Sequence, residues 1–419
     1  MKTLIKNIKQ IVGVGDETQK NLKKGREMKK ISIIDNGWIM IEDGLIIDFG
    51  NMEAWPGIED WNNTKIIDAN NGIVLPTWCD SHTHIVYAGT RESEFVDRIN
   101  GLSYEEIAKN GGGILNSAKL ISQTKEEELY KQSSKRIEKL ISLGTGAIEI
   151  KSGYGLNTKN EIKMLRVIKQ LQENYPICIK STFLGAHAVP KEYSQEKYVS
   201  LIINEMIPEV AKQNLANYID VFCDRGFFTP KETENILEAG IKYGLKPKIH
   251  ANELDFSGGI EVGVKMNAVS VDHLECTGDT QIKLLKNSKT IPTLLPGTAY
   301  FLGLKYPPAR LMIDSGLPIA IGSDFNPGSC PSGNMSMMIS LACVKMKLTP
   351  TEAINAATIN GAFAMEINNT HGQIKKLEKA NLIITEKIPS INYIPYSIGE
   401  NIIDKVIING QIYYDSETN

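Results

Sequence analysis

The chain of 419 residues is long enough for one large domain and a smaller one, with ample material for a buried core. Charged residues are 23% of the total and the formal net charge is −3, so there is no electrostatic footprint for nucleic acid or an anionic membrane. No apolar run reaches a membrane span, and the opening Met1-Lys-Thr-Leu-Ile-Lys-Asn7 lacks the apolar core and cleavage site of a secretory leader.

Residues 1–75 read as short strands: Ile31-Ser-Ile-Ile34, Gly37-Trp-Ile-Met-Ile41, Leu45-Ile-Ile-Asp-Phe-Gly50 and Lys65-Ile-Ile-Asp68, with a hairpin turn at Asp43-Gly44. The basic stretch from Lys20 to Lys30 interrupts them and reads as a solvated loop, longer than a plain linker. The middle of the chain alternates strand and helix. Strands are expected at Val74-Leu75 leading into Trp78, then at residues 146–150, 177–183, 218–223, 245–249, 268–271, 290–295 and 318–322. Helical patterns fill Lys125–Leu143, Lys159–Asn174 and Pro230–Tyr243, the last behind Thr229-Pro230-Lys-Glu232, a cap with proline in the first turn. Residues 374–419 return to strands, at Ala380-Asn-Leu-Ile-Ile-Thr385 and Lys405-Val-Ile-Ile408, with a turn at Asn409-Gly410.

About eight β/α units fit a (β/α)₈ TIM barrel over 76–373, in the α/β class, with a small β-sandwich domain assembled from 1–75 and 374–419. The alternative, a doubly wound sheet, calls for a Gly-x-Gly-x-x-Gly turn after the first strand, and none is present. The six cysteines show no Cys-x-x-Cys spacing and suit reduced, buried thiols.

The histidines carry the chemical signal. His82 and His84 stand two apart, so on a strand both rings reach the same face and one metal ion. The chain has only six histidines, and His187, His250 and His273 each follow an apolar run, as Asp324 does. In a barrel these positions fall at the C-terminal ends of strands one, three, five, six and eight, the rim where barrel enzymes place their chemistry.

These stretches, with Gly89-Thr-Arg91-Glu-Ser-Glu-Phe95, Lys151-Ser-Gly-Tyr154-Gly-Leu156, His250-Ala-Asn-Glu253 and Ser323-Asp324-Phe-Asn326-Pro-Gly328-Ser329, resemble the amidohydrolase superfamily and, within it, the imidazolonepropionase family of ring-opening hydrolases. The resemblance covers nearly the whole barrel. It implies a cytoplasmic enzyme of histidine degradation, a homodimer, acting on the small molecule 4-imidazolone-5-propanoate to give N-formimino-L-glutamate. It implies His82, His84, His250 and Asp324 as ligands of one divalent or trivalent metal ion, zinc or iron, a donor set that suits either and leaves a position for water. It makes Glu253, His273 and Asp324 the candidates for proton transfer and for steadying developing charge. Arg91, whose planar fork matches a carboxylate, Tyr154, His187, Glu253, Asn326, Gly328 and Ser329 are implied as the substrate-binding set. A deaminase of a purine or related heterocycle is the alternative within the superfamily, with the same metal ligands but no need of Arg91.

Other features read as structural. Strand four ends in Phe222-Cys223-Asp224 and Lys151 lies on strand two, so the modified lysine of binuclear relatives has no counterpart, and Cys223 is a packed thiol. Gly111 to Gly113 reads as a mobile loop, because the Lys-Ser/Thr of a phosphate cradle is absent. Thr77-Trp78-Cys79 replaces the small residues usual before the His-x-His, and the bulk of Trp78 is expected to alter packing beneath the metal.

Overall fold

The computed structural model describes residues 2–15, 22–58, 61, 63–102, 106, 107 and 111–418. Among the described residues, sixteen strands fall into two sheets. Those of the first part are β1 (Lys2–Val12), β2 (Ile33–Glu42), β3 (Leu45–Asn51), β4 (Thr64–Asp68) and β5 (Ile73–Pro76). Those of the second are β6 (Trp78–Thr83), β7 (Thr145–Lys151), β8 (Cys178–Ala186), β9 (Tyr218–Cys223), β10 (Lys246–Ala251), β11 (Ser270–His273), β12 (Ile291–Leu294) and β13 (Ala320–Ile321), followed by β14 (Leu382–Thr385), β15 (Ile403–Ile408) and β16 (Gln411–Asp415).

The small sheet runs β16-β15-β14-β5-β1-β2-β3, with β4 also on β1, so both ends of the chain build it. Its hairpins turn where glycine follows a residue that tolerates the left-handed region: Asp43 and Gly44 lie at φ 49° and 85°, Asn409 and Gly410 at 49° and 78°. The two tips back onto each other so closely that a Cβ on Gly44 would meet the Asn409 carbonyl oxygen at 2.7 Å.

The apolar run before the His-x-His is divided between the two sheets. Val74 and Leu75 belong to β5, paired with Ile384 and Ile383 of β14, and not to the first barrel strand. The chain crosses over at Thr77, whose N–H still donates to Asn381, while the Trp78 N–H donates to Gly144. Pro76 ends the pairing, as a residue without an N–H must at a ladder's limit.

Strands β6 to β13 pair in parallel in chain order and form the barrel, with helices such as Glu126–Ser142, Thr158–Asn174 and Pro230–Lys242 outside it. Thr229 and Glu232 make a reciprocal capping box. Between the first and last strands the Ser323 N–H and hydroxyl donate to Asp80 at 2.9 and 2.6 Å, the Asp324 N–H donates to the His82 carbonyl, and the His84 N–H donates to that of Phe325. The closure therefore passes through the candidate ligands themselves.

The basic stretch is a strap on the barrel. Residues 20 and 21 lie outside the described residues, but Gly25–Lys29 form a 3₁₀ turn whose Met28 is fully buried. The Gly25 N–H donates to Leu317 and the Asn355 side chain donates to the Met28 carbonyl. Spacing of three brings Gly25 and Met28 to one face of the turn, so the charges between them point outward while that face docks.

Candidate metal and catalytic site

His82 and His84 stand at the end of β6, His250 near the end of β10, and Asp324 just beyond β13. All four are buried. His84 Nε2 lies 3.3 Å from the Nε2 of both His82 and His250, and Asp324 Oδ1 lies 3.5 Å from the Nε2 of His82 and of His84. Tetrahedral bonds of about 2.0–2.1 Å would hold neighbouring donor atoms roughly 3.3–3.4 Å apart, so the donors have the spacing of a metal shell. The three imidazoles can hold an ion, and the amidohydrolase family is metal-dependent.

Burial drives the pKa values of His82 and His84 well below the ordinary histidine range, helped for His82 by Lys151 and for His84 by His187. Both rings are thereby neutral, the form that binds metal. The His82 Nδ1–H donates to Asp272 Oδ2 at 2.6 Å, which leaves the Nε2 lone pair pointing inward. His250 Nδ1 sits 3.0 Å from Asp220 Oδ2. Asp324 Oδ2 accepts from the Thr298 hydroxyl at 2.6 Å and from Ser329 at 3.2 Å.

Around this centre the other candidates converge. The His187 ring stacks on His84 at 5.2 Å and its Nδ1 meets the Gly153 carbonyl at 3.0 Å, while the Tyr154 ring lies 5.3 Å from His187. His273 Nδ1 faces Glu253 Oε2 at 3.6 Å and Glu275 Oε2 at 3.8 Å. Both carboxyls are pushed well above the ordinary range, first by burial and then by neighbouring carboxylates. Asn252, His273, Leu274 and Asp324 take positive φ, between 52° and 82°, conformations that cost about 1–3 kcal/mol each and recur at functional strand ends.

Arg91 is buried beside the loop after β13. Its Nε and Nη2 donate to Glu94 Oε2 at 2.8 and 2.6 Å, and Glu94 also accepts the Gly113 N–H. A Cβ on Gly328 would lie 2.2 Å from Arg91 Nη1, so only glycine lets the guanidinium rest there. Asn326 shapes the loop: its side-chain oxygen accepts the N–H groups of Gly328 and Ser329, and its amide donates to the Ser329 hydroxyl. The run ending in Gly113 is thus docked on Glu94 and does not stand free.

Several contributors gave no sign of their role. Asp272, Asp220, Glu94, Thr298, Glu161 and Glu275 hold or face the candidates without having been assigned a role; Glu94 lay inside the Gly89–Phe95 stretch, and for Asp220 and Asp272 the signal was a charge within a run otherwise patterned for burial, as in Tyr218-Ile-Asp-Val-Phe222. Cys223 is a buried thiol, raised to about 11 by burial, and among the described residues it is not grouped with His82, His84 and His250 as a metal donor. Trp78 does not pack beneath the metal. It lies at the far end of β6, where its Nε1 would be 2.9 Å from a Cβ on Gly144, so the missing side chain there takes up its bulk.

Residues 73–413 match the Amidohydrolase family. Imidazolonepropionases of Christiangramia forsetii and Flavobacterium johnsoniae are 56% and 57% identical, each over 98% of this chain and 100% of the relative. That of Alkaliphilus oremlandii is 42% identical over 97% of both. Among solved structures, an E. coli guanine deaminase superposes with a TM-score of 0.75 at 12% identity over 99% of each chain, a likeness of fold. On the family match and the full-length identities, the chain belongs to the amidohydrolase family and, within it, to the imidazolonepropionases.

Proposed function

We propose that this site opens the ring of 4-imidazolone-5-propanoate hydrolytically, giving N-formimino-L-glutamate, and that His82, His84, His250 and Asp324 hold one zinc or iron ion for the purpose. The observation that carries the reading is the convergence of three imidazole Nε2 atoms and one carboxylate oxygen at 3.3–3.5 Å, beside a buried arginine. When bound, such an ion supplies Lewis acidity that brings a water's pKa toward neutrality and polarises a carbonyl.

The rest is work for the chain. Water adds to the cyclic amide carbon, the ring C–N bond breaks, one water proton leaves, and one proton reaches the departing nitrogen. Asp324, with Oδ2 fixed by Thr298 and Ser329, is the acceptor for the first proton. Glu253 is kept as a neutral acid by burial and by the nearby charges of Asp324 and Asp224, so its carboxyl is the donor for the second. His273, backed by two carboxyl groups, steadies the negative charge that develops on the carbonyl oxygen.

Arg91 and the Asn326-Gly328-Ser329 loop take the propanoate, and His187 and Tyr154 wall the ring. The barrel of residues 76–373 carries all of these groups, and the composite domain of 1–75 and 374–419 closes its base. No described helix is long and apolar enough to cross a membrane, and a homodimer in the cytoplasm completes the reading.

The test is the ultraviolet absorbance of freshly generated imidazolone propanoate on adding metal-analysed protein, with chelated protein and guanine as controls. Loss of signal that tracks bound metal is expected. An inert mixture with about one metal per chain would reject the substrate, and turnover of guanine would install the deaminase reading.

A further inference from the structure

Beneath the metal site, the barrel interior holds five charged side chains where branched apolar ones normally fill the layer: Glu149, Lys151, Asp220, Lys248 and Asp272, none more than 1% exposed. Lys151 Nζ donates to Glu149 Oε1 at 2.6 Å and to Asp220 Oδ2 at 2.8 Å, and lies 3.5 Å from Asp272 Oδ2. Lys248 completes the cluster on the other Glu149 oxygen.

The atoms shared are informative. Asp272 Oδ2, which faces the ammonium, is the oxygen that accepts from His82 Nδ1, and Asp220 Oδ2, bonded to the ammonium, is the one 3.0 Å from His250 Nδ1. One cation therefore stands behind two of the three imidazoles. The two contacts differ in kind: His82 Nδ1 is hydrogen-bonded to its carboxylate, His250 Nδ1 lies at ion-pair distance from its own without a hydrogen bond, and His84 Nδ1 has neither. Buried ion clusters are often matched or exceeded in stability by apolar packing, so stability alone gives no reason to keep five charges here. Orientation does, because a carboxylate on Nδ1 holds the ring and turns the Nε2 lone pair toward a metal.

We propose that Lys151 is a positioning residue for the metal centre, fixing through Asp272 and Asp220 the two carboxylates that aim His82 and His250. Without it, three carboxylates share Lys248 and swing away from the imidazoles. The inference rests on the ligand set proposed above, and its test separates the two.

Zinc affinity is measured by competition with a chromophoric chelator on metal-free full-length protein. His84→Ala tests the ligands: undiminished binding of one zinc would reject the set and the proposal with it. The double variant Glu149→Gln/Lys151→Met removes one positive and one negative charge, so the cluster's sum is kept. It is expected to bind one zinc at saturation with affinity about 10–100-fold weaker. Wild-type affinity would overturn the proposal while His84→Ala still upheld the ligands, and so would a lower melting temperature of the metal-free protein with affinity unchanged. Should the double variant fail to fold by circular dichroism, Asp272→Asn with Lys151 intact is expected to show the same weakening, and wild-type affinity there would count against the proposal.

Discussion

Arg91 is held as a surface arginine never is: two of its nitrogens are committed to Glu94, and Nη1 rests over the bare Cα of Gly328. A charge-assisted hydrogen bond contributes about 1.5–3 kcal/mol, so Arg91→Ala should lower kcat/KM roughly 10- to 150-fold, mainly through KM. Steady-state kinetics on imidazolone propanoate decide it, and an unchanged KM would show that the propanoate lies elsewhere. The sequence was readable here for a physical reason. Metal ligands and a carboxylate-binding arginine need fixed residue types at strand ends, so they leave a pattern. The roles of their supports do not: Glu94, Thr298, Asp220 and Asp272 act through contacts that only folding brings about, and a charge or hydroxyl in its stretch does not say which partner it will meet.

At the scale of elements, the loop after β7 shows how one buried carboxylate can organise a binding wall. Glu161, on the helix Thr158–Asn174, accepts the N–H groups of Gly153, Gly155 and Leu156 at 3.1, 2.6 and 2.9 Å. That loop carries Tyr154, and its Gly153 carbonyl meets His187. Glu161→Gln keeps the volume but replaces one acceptor oxygen with a donor facing N–H groups, so it should raise KM about tenfold, the effect of roughly 1.4 kcal/mol, with metal content unchanged. Metal loss in this variant would instead tie the loop to the ligands.

Another element-level consequence concerns His371, where the chain leaves the barrel. Its Nδ1 pairs with the Thr370 hydroxyl and its Nε2 accepts from the Asn381 amide, an arrangement that needs a neutral ring. Burial, with Lys379 and Lys180 nearby, lowers its pKa to about 4. The unfolded chain binds the proton more readily, so this stabilisation is complete above about pH 6.5 and is lost as pH falls toward 4, a swing of about 3 kcal/mol. Chemical denaturation of wild type and His371→Gln across that range should give a shallower slope for the variant, and parallel curves would refute the assignment. Elements were legible where local chemistry decides them, as at Asp43-Gly44, Asn409-Gly410 and the Thr229 cap. They were not where two sheets compete for one apolar run: nothing local separates Val74-Leu75 from Trp78, and only the partners in β14 and β7 divide them. The strap at Gly25–Lys29 was hidden likewise, its composition that of a solvated loop and its docking the work of Met28.

For the whole molecule, the core is continuous across the two sheets. Val12, Ile73 and Leu75 of the small sheet, with Ile383, Ile403 and Val406, belong to the same buried cluster as the barrel's Ile148, Ile150 and Ile249. Gly144 lies between them, where a Cβ would come within 2.7–2.9 Å of Ile383, Ile403 and Trp78 together. Neither sheet can lose its partner without exposing that shared face, so the two should unfold as one cooperative unit. The distribution of probes makes this measurable. Trp38, Trp55 and Trp61 lie in the small domain and Trp78 at the junction, whereas most of the helical signal comes from the barrel. Tryptophan fluorescence and far-ultraviolet circular dichroism should therefore report the same melting transition in metal-free protein. Zinc at about a hundred times its dissociation constant should stabilise that transition by about 2.7 kcal/mol, because only the folded barrel gathers the ligands. Trp38, Trp55 and Trp61 lie outside the barrel that gathers the ligands, so in one cooperative unit the fluorescence transition should move as far as the dichroism transition does. A fluorescence transition that ignored zinc while the dichroism transition rose would mean that the sheets melt separately, and the shared core would then be contact without cooperativity.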